Sequence, residues 1–202
     1  MDPTGLIAQC IQLASRELGL PVPMDADAKQ IIGLGVHDSS RILFPDLDEA
    51  KLLEFALRYR RHFAASNHES PLFPGVIRML EDLRQRGILL GLATGKARPG
   101  LERALVQTGL KPMFDFSRCG DEGFPKPHPD MLLKLMDFAG LDKERVFMIG
   151  DTTHDLELAA NAGVRCVAVS YGAHPESELL RHEPVKCLQS VDALHTWLTQ
   201  NV

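Results

Sequence analysis

Two aspartates lie four residues apart directly after an apolar stretch of the sequence. Residues 146–149 are predicted to form a strand, and Asp151 and Asp155 follow it. Ligands of open α/β sheets bind outside the carboxyl ends of the strands, and two carboxylates at this spacing can hold a hard cation such as Mg²⁺. The alternative is helix capping by Thr152 or Thr153, with Asp155 near the positive end of the helix.

A second polar group follows an earlier apolar stretch. Residues 88–93 are predicted to form a strand that brings Thr94 to the same edge of the sheet as Asp151. A hydroxyl and the amide of Gly95, at a turn from strand to helix, suit a phosphate oxygen. An ordinary helix cap is again the alternative.

A lysine lies in a loop with prolines at alternate positions. Lys126 is flanked by Pro125 and Pro127, and Pro129 follows. Each proline fixes its own φ angle and restricts the residue before it, so the loop is expected to be rigid. A fixed ammonium group can neutralise a phosphoryl group, whereas most loop lysines are simply solvated.

The elements that position these side chains follow from the hydrophobic periodicity. Residues 1–73 are predicted to be helical only, with a capping box formed by Asp46 and Glu49 at the start of a long helix. Residues 74–202 are predicted to alternate strands with helices. The predicted strands are 88–93, 114–117, 146–149 and 164–169, and the predicted helices include 74–86, 99–108, 129–139, 153–162 and 191–199. This alternation predicts the α/β class, with a doubly wound parallel sheet.

The three polar groups occur in a recognisable order. The sequence reads as an apolar strand then T-G-K, as K-P-x-P, and as an apolar strand then G-D-x-x-x-D with A-x-x-A-G behind it. This order resembles motifs two, three and four of the haloacid dehalogenase (HAD) superfamily, and the phosphoglycolate-phosphatase group in particular. The resemblance covers essentially the whole chain, and residues 1–73 fall where that superfamily inserts a helical cap.

The resemblance implies a Mg²⁺-dependent phosphatase that acts on small phosphorylated metabolites. Thr94 and Lys126 would then be catalytic and would bind phosphate together with Gly95. Asp151 would bind Mg²⁺ directly, with Asp155 behind it.

Motif one of the superfamily is a buried strand followed by D-x-D-G-T, in which the first Asp is the nucleophile and the second the general acid and base. Residues 1–202 contain no such motif, and the segment Asp2-Pro3-Thr4 is similar to the turn that follows it. We therefore expect about 10–15 residues, roughly a strand with its loop, to be missing. The missing strand would lie at the centre of the sheet, between the strands that end at Thr94 and Asp151. On this interpretation the chain is inactive, because it lacks the attacking carboxylate.

Two other functions remain open at this stage. The chain could be a non-catalytic phosphate-binding or interaction protein derived from this fold. It could also be a dehalogenase or a phosphomutase on the same scaffold, although Lys126 and the paired aspartates fit phosphoryl chemistry better.

The composition excludes several classes of partner and location. The 202 residues carry a formal net charge of -5, which argues against general nucleic-acid binding. No apolar stretch approaches the roughly 18 residues of a membrane span, and the start of the sequence lacks the basic residues of a secretory signal. The four cysteines are widely spaced, so reduced thiols and a cytoplasmic location are expected.

Overall fold

The computed structural model describes residues 3–66 and 72–202. The chain divides into two compact units, Met1–Pro71 and Leu72–Val202. Asp2 and residues 67–71, which are half of the polar stretch at residues 66–75, lie outside the described residues. The described residues contain no helix that is both long enough and apolar enough to cross a lipid bilayer.

Over residues 3–66 the first unit consists of four helices. They are α1 (Pro3–Glu17), α2 (Asp25–Gln30), α3 (Val36–Leu43) and α4 (Glu49–Ala65). Small and apolar residues fill its core, among them Ala14 on α1, Ala28 on α2 and Phe55 on α4. At the surface, Arg61 of α4 donates to Glu17 at the end of α1 over 2.7 Å.

The second unit alternates strands with helices, as the sequence predicts. Its strands are β1 (Gly91–Thr94), β2 (Phe116–Cys119), β3 (Phe147–Gly150), β4 (Arg165–Val169) and β5 (Lys186–Leu188). Its helices are α5 (Val76–Gln85), α6 (Arg98–Thr108), α7 (Asp130–Ala139), α8 (Thr153–Ala162), α9 (Glu176–Leu179) and α10 (Val191–Asn201).

All strand pairs among the described residues are parallel, and they form two sheets. One sheet has the order β1-β2, and the other has the order β3-β4-β5. Gly91 pairs with Phe116 at the start of the first sheet, and Gly150 pairs with Ala168 at the end of the β3–β4 ladder. Among the described residues β1 and β3 therefore each pair along one edge only.

Helices cover both faces of the larger sheet. Along β4, Cys166 and Ala168 belong to an apolar cluster with residues of α7, α8 and α9. The alternate residues Val167 and Val169 belong to another cluster, with residues of α5 and α10. A strand that is covered on both faces is expected to be apolar at successive positions, and residues 166–169 of β4 are all apolar. The predicted doubly wound α/β class with parallel strands is confirmed.

Local contacts shift several predicted boundaries. The capping box predicted for Asp46 is wrong: Leu47 N–H donates to the carbonyl of Phe44 and closes a turn. Asp48 is the N-cap of α4 instead, and its carboxylate accepts the N–H of Lys51 at 2.9 Å.

The first predicted strand also begins later than expected. Residue 88 was expected to start it, but the N–H of Ile88 donates to Leu83 at the end of α5. The N–H of Leu90 donates to the carboxylate of Asp115 at 2.8 Å. The ladder therefore starts only at Gly91. The three-residue strand β5 was not predicted.

Candidate active site

The side chain of Lys126 links the end of β1, in the two-stranded sheet, to α8, the helix that follows β3 of the three-stranded sheet. Its side chain is 6% exposed, although it comes from a loop. The ammonium donates to the carbonyl of Ala93 in β1 at 3.0 Å and to Asp155 Oδ1 in α8 at 2.6 Å. The carboxyl ends of β1 and β3 are thereby brought to one place.

Asp155 has a structural role at the start of α8. Thr152 is the N-cap, and its hydroxyl accepts the N–H of Asp155, while Asp155 Oδ2 accepts from the Thr152 N–H at 3.2 Å and from its hydroxyl at 2.8 Å. This is a complete capping box. A Cβ atom at Gly150 would lie closer than 3.0 Å to the Cβ and Cγ atoms of Asp155, so glycine is needed where β3 ends.

Asp151 lies directly after β3 in an environment that opposes its ionisation. Burial, followed by the charge of Asp155, raises the pKa of the Asp151 carboxyl above its usual range. The N–H of Ala173 partly offsets this by donating to Asp151 Oδ2 at 2.9 Å. A buried carboxylate beside a second carboxylate favours a nearby cation.

Thr94 ends β1 beside the carbonyl that Lys126 contacts. Its hydroxyl oxygen accepts the N–H of Lys96 at 3.2 Å. The backbone of Gly120 packs against this turn: its N–H donates to the carbonyl of Lys96, and a Cβ atom there would lie 2.6 Å from the carbonyl oxygen of Gly95. The turn that contains Thr94 and Gly95 is thus held against the loop that follows β2.

A charged network, which the sequence did not predict, fixes both loops. The guanidinium of Arg98 donates to both carboxylate oxygens of Glu122 at 2.8 Å and to the hydroxyl of Ser117 at 2.7 Å. The bond from Arg98 holds the pKa of Glu122 below its usual range. Asp121 accepts the backbone N–H of Arg98 at 2.9 Å, which caps α6.

Asp151 is the carboxylate of this group that could bind a cation, because both oxygens of Asp155 already accept hydrogen bonds. Among residues 3–66 and 72–202, no three side chains of His, Cys, Asp or Glu form a metal cluster. Mg²⁺ usually retains several waters and binds one or two carboxylates together with substrate phosphates. The partly buried carboxylate of Asp151, whose pKa is raised by desolvation and by the charge of Asp155, is a donor that such an ion could bind.

The sequence reasoning also missed the loop after β4. Gly172, Ala173 and His174 contact Asp151 or the first turn of α8, yet they are some twenty residues away in sequence. A glycine three residues beyond the end of an apolar strand was the available signal, since glycine often permits close backbone approach.

Comparison with known proteins agrees with this architecture. Over 171 residues the chain is 32% identical to the pyrophosphatase PpaX of Halalkalibacterium halodurans, covering 83% of this chain and 77% of that protein. Over 199 residues it is 31% identical to a 5'-nucleotidase of Pseudomonas aeruginosa, covering 96% and 88%. The crystal structure of a hydrolase from Pseudomonas syringae has the same fold, with a TM-score of 0.89 at 17% identity over 98% of this chain and 93% of that chain.

Residues 1–169 match the family model described as haloacid dehalogenase-like hydrolase. This match covers most of the sequence. The parallel α/β unit contains the three motifs that carry the resemblance. The chain belongs to the haloacid dehalogenase-like hydrolase family.

Proposed function

We propose that this protein is a Mg²⁺-dependent phosphatase of small phosphorylated metabolites. The observation that supports it most is the pair of bonds made by Lys126, to the carbonyl of Ala93 and to Asp155. These bonds gather the groups suited to phosphate and to a cation at one end of the strands. The relatives named as a pyrophosphatase and as a 5'-nucleotidase support phosphate substrates.

Thr94, Gly95 and Lys126 are assigned to the phosphoryl group. An ammonium group has three N–H donors, and two of those of Lys126 have acceptors among the described residues. The third donor is available to a phosphoryl oxygen. Thr94 Oγ1 accepts from Lys96, so its hydroxyl hydrogen can be donated to the same group. Fixed donors of this kind stabilise the charge that develops during phosphoryl transfer.

Asp151 is assigned to Mg²⁺, with Asp155 behind it. Both oxygens of Asp155 accept bonds, from Lys126 and from Thr152, so its part is to add negative charge and to hold Lys126. When bound, Mg²⁺ would offset the charge of the phosphoryl oxygens. In this assignment Asp155 holds Lys126 and also fixes the backbone of Thr152, the residue after Asp151.

The attacking group is assigned by resemblance to the first Asp of a D-x-D-G-T motif, which residues 1–202 do not contain. Its carboxylate would attack phosphorus as the bond to the leaving oxygen breaks, and the second Asp would give that oxygen a proton. Water would then attack phosphorus and give its proton to the second Asp, while the bond between phosphorus and the first Asp breaks, so that phosphate leaves and the carboxylate is regenerated. Without that motif, we expect the 202-residue chain to be inactive by this route.

The experiment compares three proteins with p-nitrophenyl phosphate in Mg²⁺ or in EDTA. They are the 202-residue chain, a chain with an N-terminal apolar strand and D-x-D-G-T, and the same extension with the first Asp replaced by Asn. Only the first extension should hydrolyse the substrate, and only in Mg²⁺. Turnover by the 202-residue chain would show that the proposed inactivity is wrong.

A second candidate function is non-catalytic phosphate binding, because Thr94 and Lys126 could hold a phosphate without an attacking carboxylate. A non-catalytic phosphate-binding protein would bind inorganic phosphate in calorimetry but gain no turnover from the extension. Binding that is lost in Thr94→Val, with no turnover in either extended chain, would support this alternative over the phosphatase.

A reducing compartment such as the cytoplasm is part of the proposal. All four cysteines are free thiols, and Cys10, Cys119 and Cys166 are buried. Thiols of this kind persist where glutathione keeps them reduced.

A further inference from the structure

The segment Tyr171–His174 follows β4 and lies against Asp151. The N–H of Ala173 donates to Asp151 Oδ2 at 2.9 Å, and the N–H of His174 donates to the backbone carbonyl of Asp151 at 3.0 Å. Two consecutive amides therefore bind one residue, one through its side chain and one through its backbone. A carboxylate held in this way has a fixed orientation.

Gly172 makes this approach possible. A Cβ atom there would lie closer than 3.0 Å to the Cβ, Cγ and Oδ2 atoms of Asp151. Its φ angle is not in the left-handed region, so the requirement for glycine comes from the close contact and not from backbone conformation. Any side chain at this position must displace either the segment or the carboxylate.

His174 connects the same segment to α8. Its side chain is 4% exposed, and its Nδ1 atom accepts the N–H of Thr153 at 3.1 Å. The segment is thus bonded to Asp151 and to the first turn of the helix that carries Asp155. A shift of the segment would be transmitted to both carboxylates.

We propose that Tyr171–His174 is a positioning element for Asp151, with Gly172 and His174 as positioning residues. It holds Oδ2 on the Ala173 amide and would leave Oδ1 available to a divalent cation. This inference rests on the proposed function for the identity of the ligand, although the hydrogen bonds that carry it do not. Removing a hydrogen-bond partner of a metal ligand commonly weakens metal binding by about 10–100-fold.

The first test follows Mn²⁺ binding by electron paramagnetic resonance in the 202-residue chain. We expect Gly172→Ala to weaken binding by about tenfold, and His174→Ala to weaken it more than His174→Asn, which keeps an acceptor near the position of Nδ1. Gly100→Ala is the matched control, because the nearest atom to a Cβ there is 4.0 Å away.

The second test does not depend on metal. The amide proton of Ala173 should resonate downfield in the unsubstituted chain, and both Asp151→Asn and Gly172→Ala should shift it upfield. Thermal unfolding of each variant without metal separates a displaced carboxylate from a chain that does not fold. If Gly172→Ala fails to fold, the His174 pair provides the comparison.

The outcomes separate the two proposals. If the amide of Ala173 is unchanged in Asp151→Asn, or if Gly172→Ala and His174→Ala bind Mn²⁺ as tightly as the unsubstituted chain, the positioning element is wrong. If the unsubstituted chain binds no Mn²⁺, or Asp151→Asn binds it equally well, the magnesium assignment fails. The amide shift then still decides whether the segment positions the carboxylate.

Discussion

Lys126 shows how one side chain can organise a site and also stabilise the chain around it. Its ammonium and the carboxylate of Asp155 are both buried. Such a pair contributes modestly to stability compared with an apolar pair, but it is costly to break, because the remaining charge is left without a partner. The site therefore depends on the two residues being present together.

We expect Lys126→Met to reduce the free energy of unfolding by about 3–5 kcal/mol, because Asp155 would keep a buried charge without its cation. Urea unfolding followed by circular dichroism measures the change. Lys111→Met is the matched control: Lys111 lies 2.7 Å from Glu102 in an exposed ion pair, so its loss should have little effect. Equal effects in the two variants would contradict the buried pair.

The start of the β1–β2 ladder depends on one aspartate. Asp115 accepts the N–H of Leu90 at 2.8 Å and a bond from Arg84 at 3.0 Å, and its own N–H donates to the carbonyl of Leu90. The bond from Leu90 and then that from Arg84 hold the pKa of Asp115 below its usual range, against the effect of desolvation. This carboxylate sets the register in which β1 delivers Thr94.

Asp115→Asn should lower the free energy of unfolding by about 1 kcal/mol at pH 7, a modest value because the carboxylate is partly solvated. Since the folded pKa is lowered, the ionised group stabilises the fold above its unfolded pKa, and this contribution is lost as pH falls through the folded value. The difference between the two proteins should shrink below about pH 4. Urea unfolding across that range measures it, with Asp137→Asn as the exposed control. A difference that grows on acidification would be inconsistent with the lowered pKa.

The bounds of an element could be predicted from the sequence where neighbouring residues set them. Helix α8 was predicted over residues 153–162 and has these bounds, because Thr152 caps it and Gly163 ends it. By contrast, β1 was predicted to start three residues early, since the side chain of Asp115 takes the bond of Leu90 in place of a ladder partner. No local pattern reports a contact made 25 residues away.

The residues of the candidate site also differ in whether a local sequence signal could identify them. Asp151, Asp155, Lys126 and Thr94 could be proposed from motifs, and the structure brings Lys126 and Asp155 into contact. The metal and phosphate roles of these residues remain predictions. His174 could not be proposed, and Gly172 had only the weak signal of a glycine after a strand, because their part depends on where β4 places its following loop relative to Asp151.

At the scale of the second unit, the arrangement of the sheets limits stability. Among the described residues β1 and β3 each have an edge with no ladder partner. Leu89, just before β1, is 49% exposed. Unpaired strand edges expose backbone donors and acceptors and promote aggregation. A strand inserted between β1 and β3 would pair with both edges and cover apolar side chains.

We expect the 202-residue chain to melt below about 50 °C, near the lower end for domains of this kind. The extension with an apolar strand and D-x-D-G-T should raise the melting temperature, because burying about four side chains contributes about 1.5–3 kcal/mol each. Differential scanning calorimetry of both chains measures this. An extension of equal length made of glycine and serine is the control. A cooperative melt of the 202-residue chain well above 50 °C would refute the expectation.

Gly150 and Gly172 together limit the substitutions that can be made next to Asp151 and Asp155. Each backbone lies against one of the two carboxylates where a β-carbon would not fit, so neither position can acquire a new side chain while both acids keep their places. We therefore expect any substitution that is accepted at residue 150 or 172 to come with a shift of the neighbouring acid.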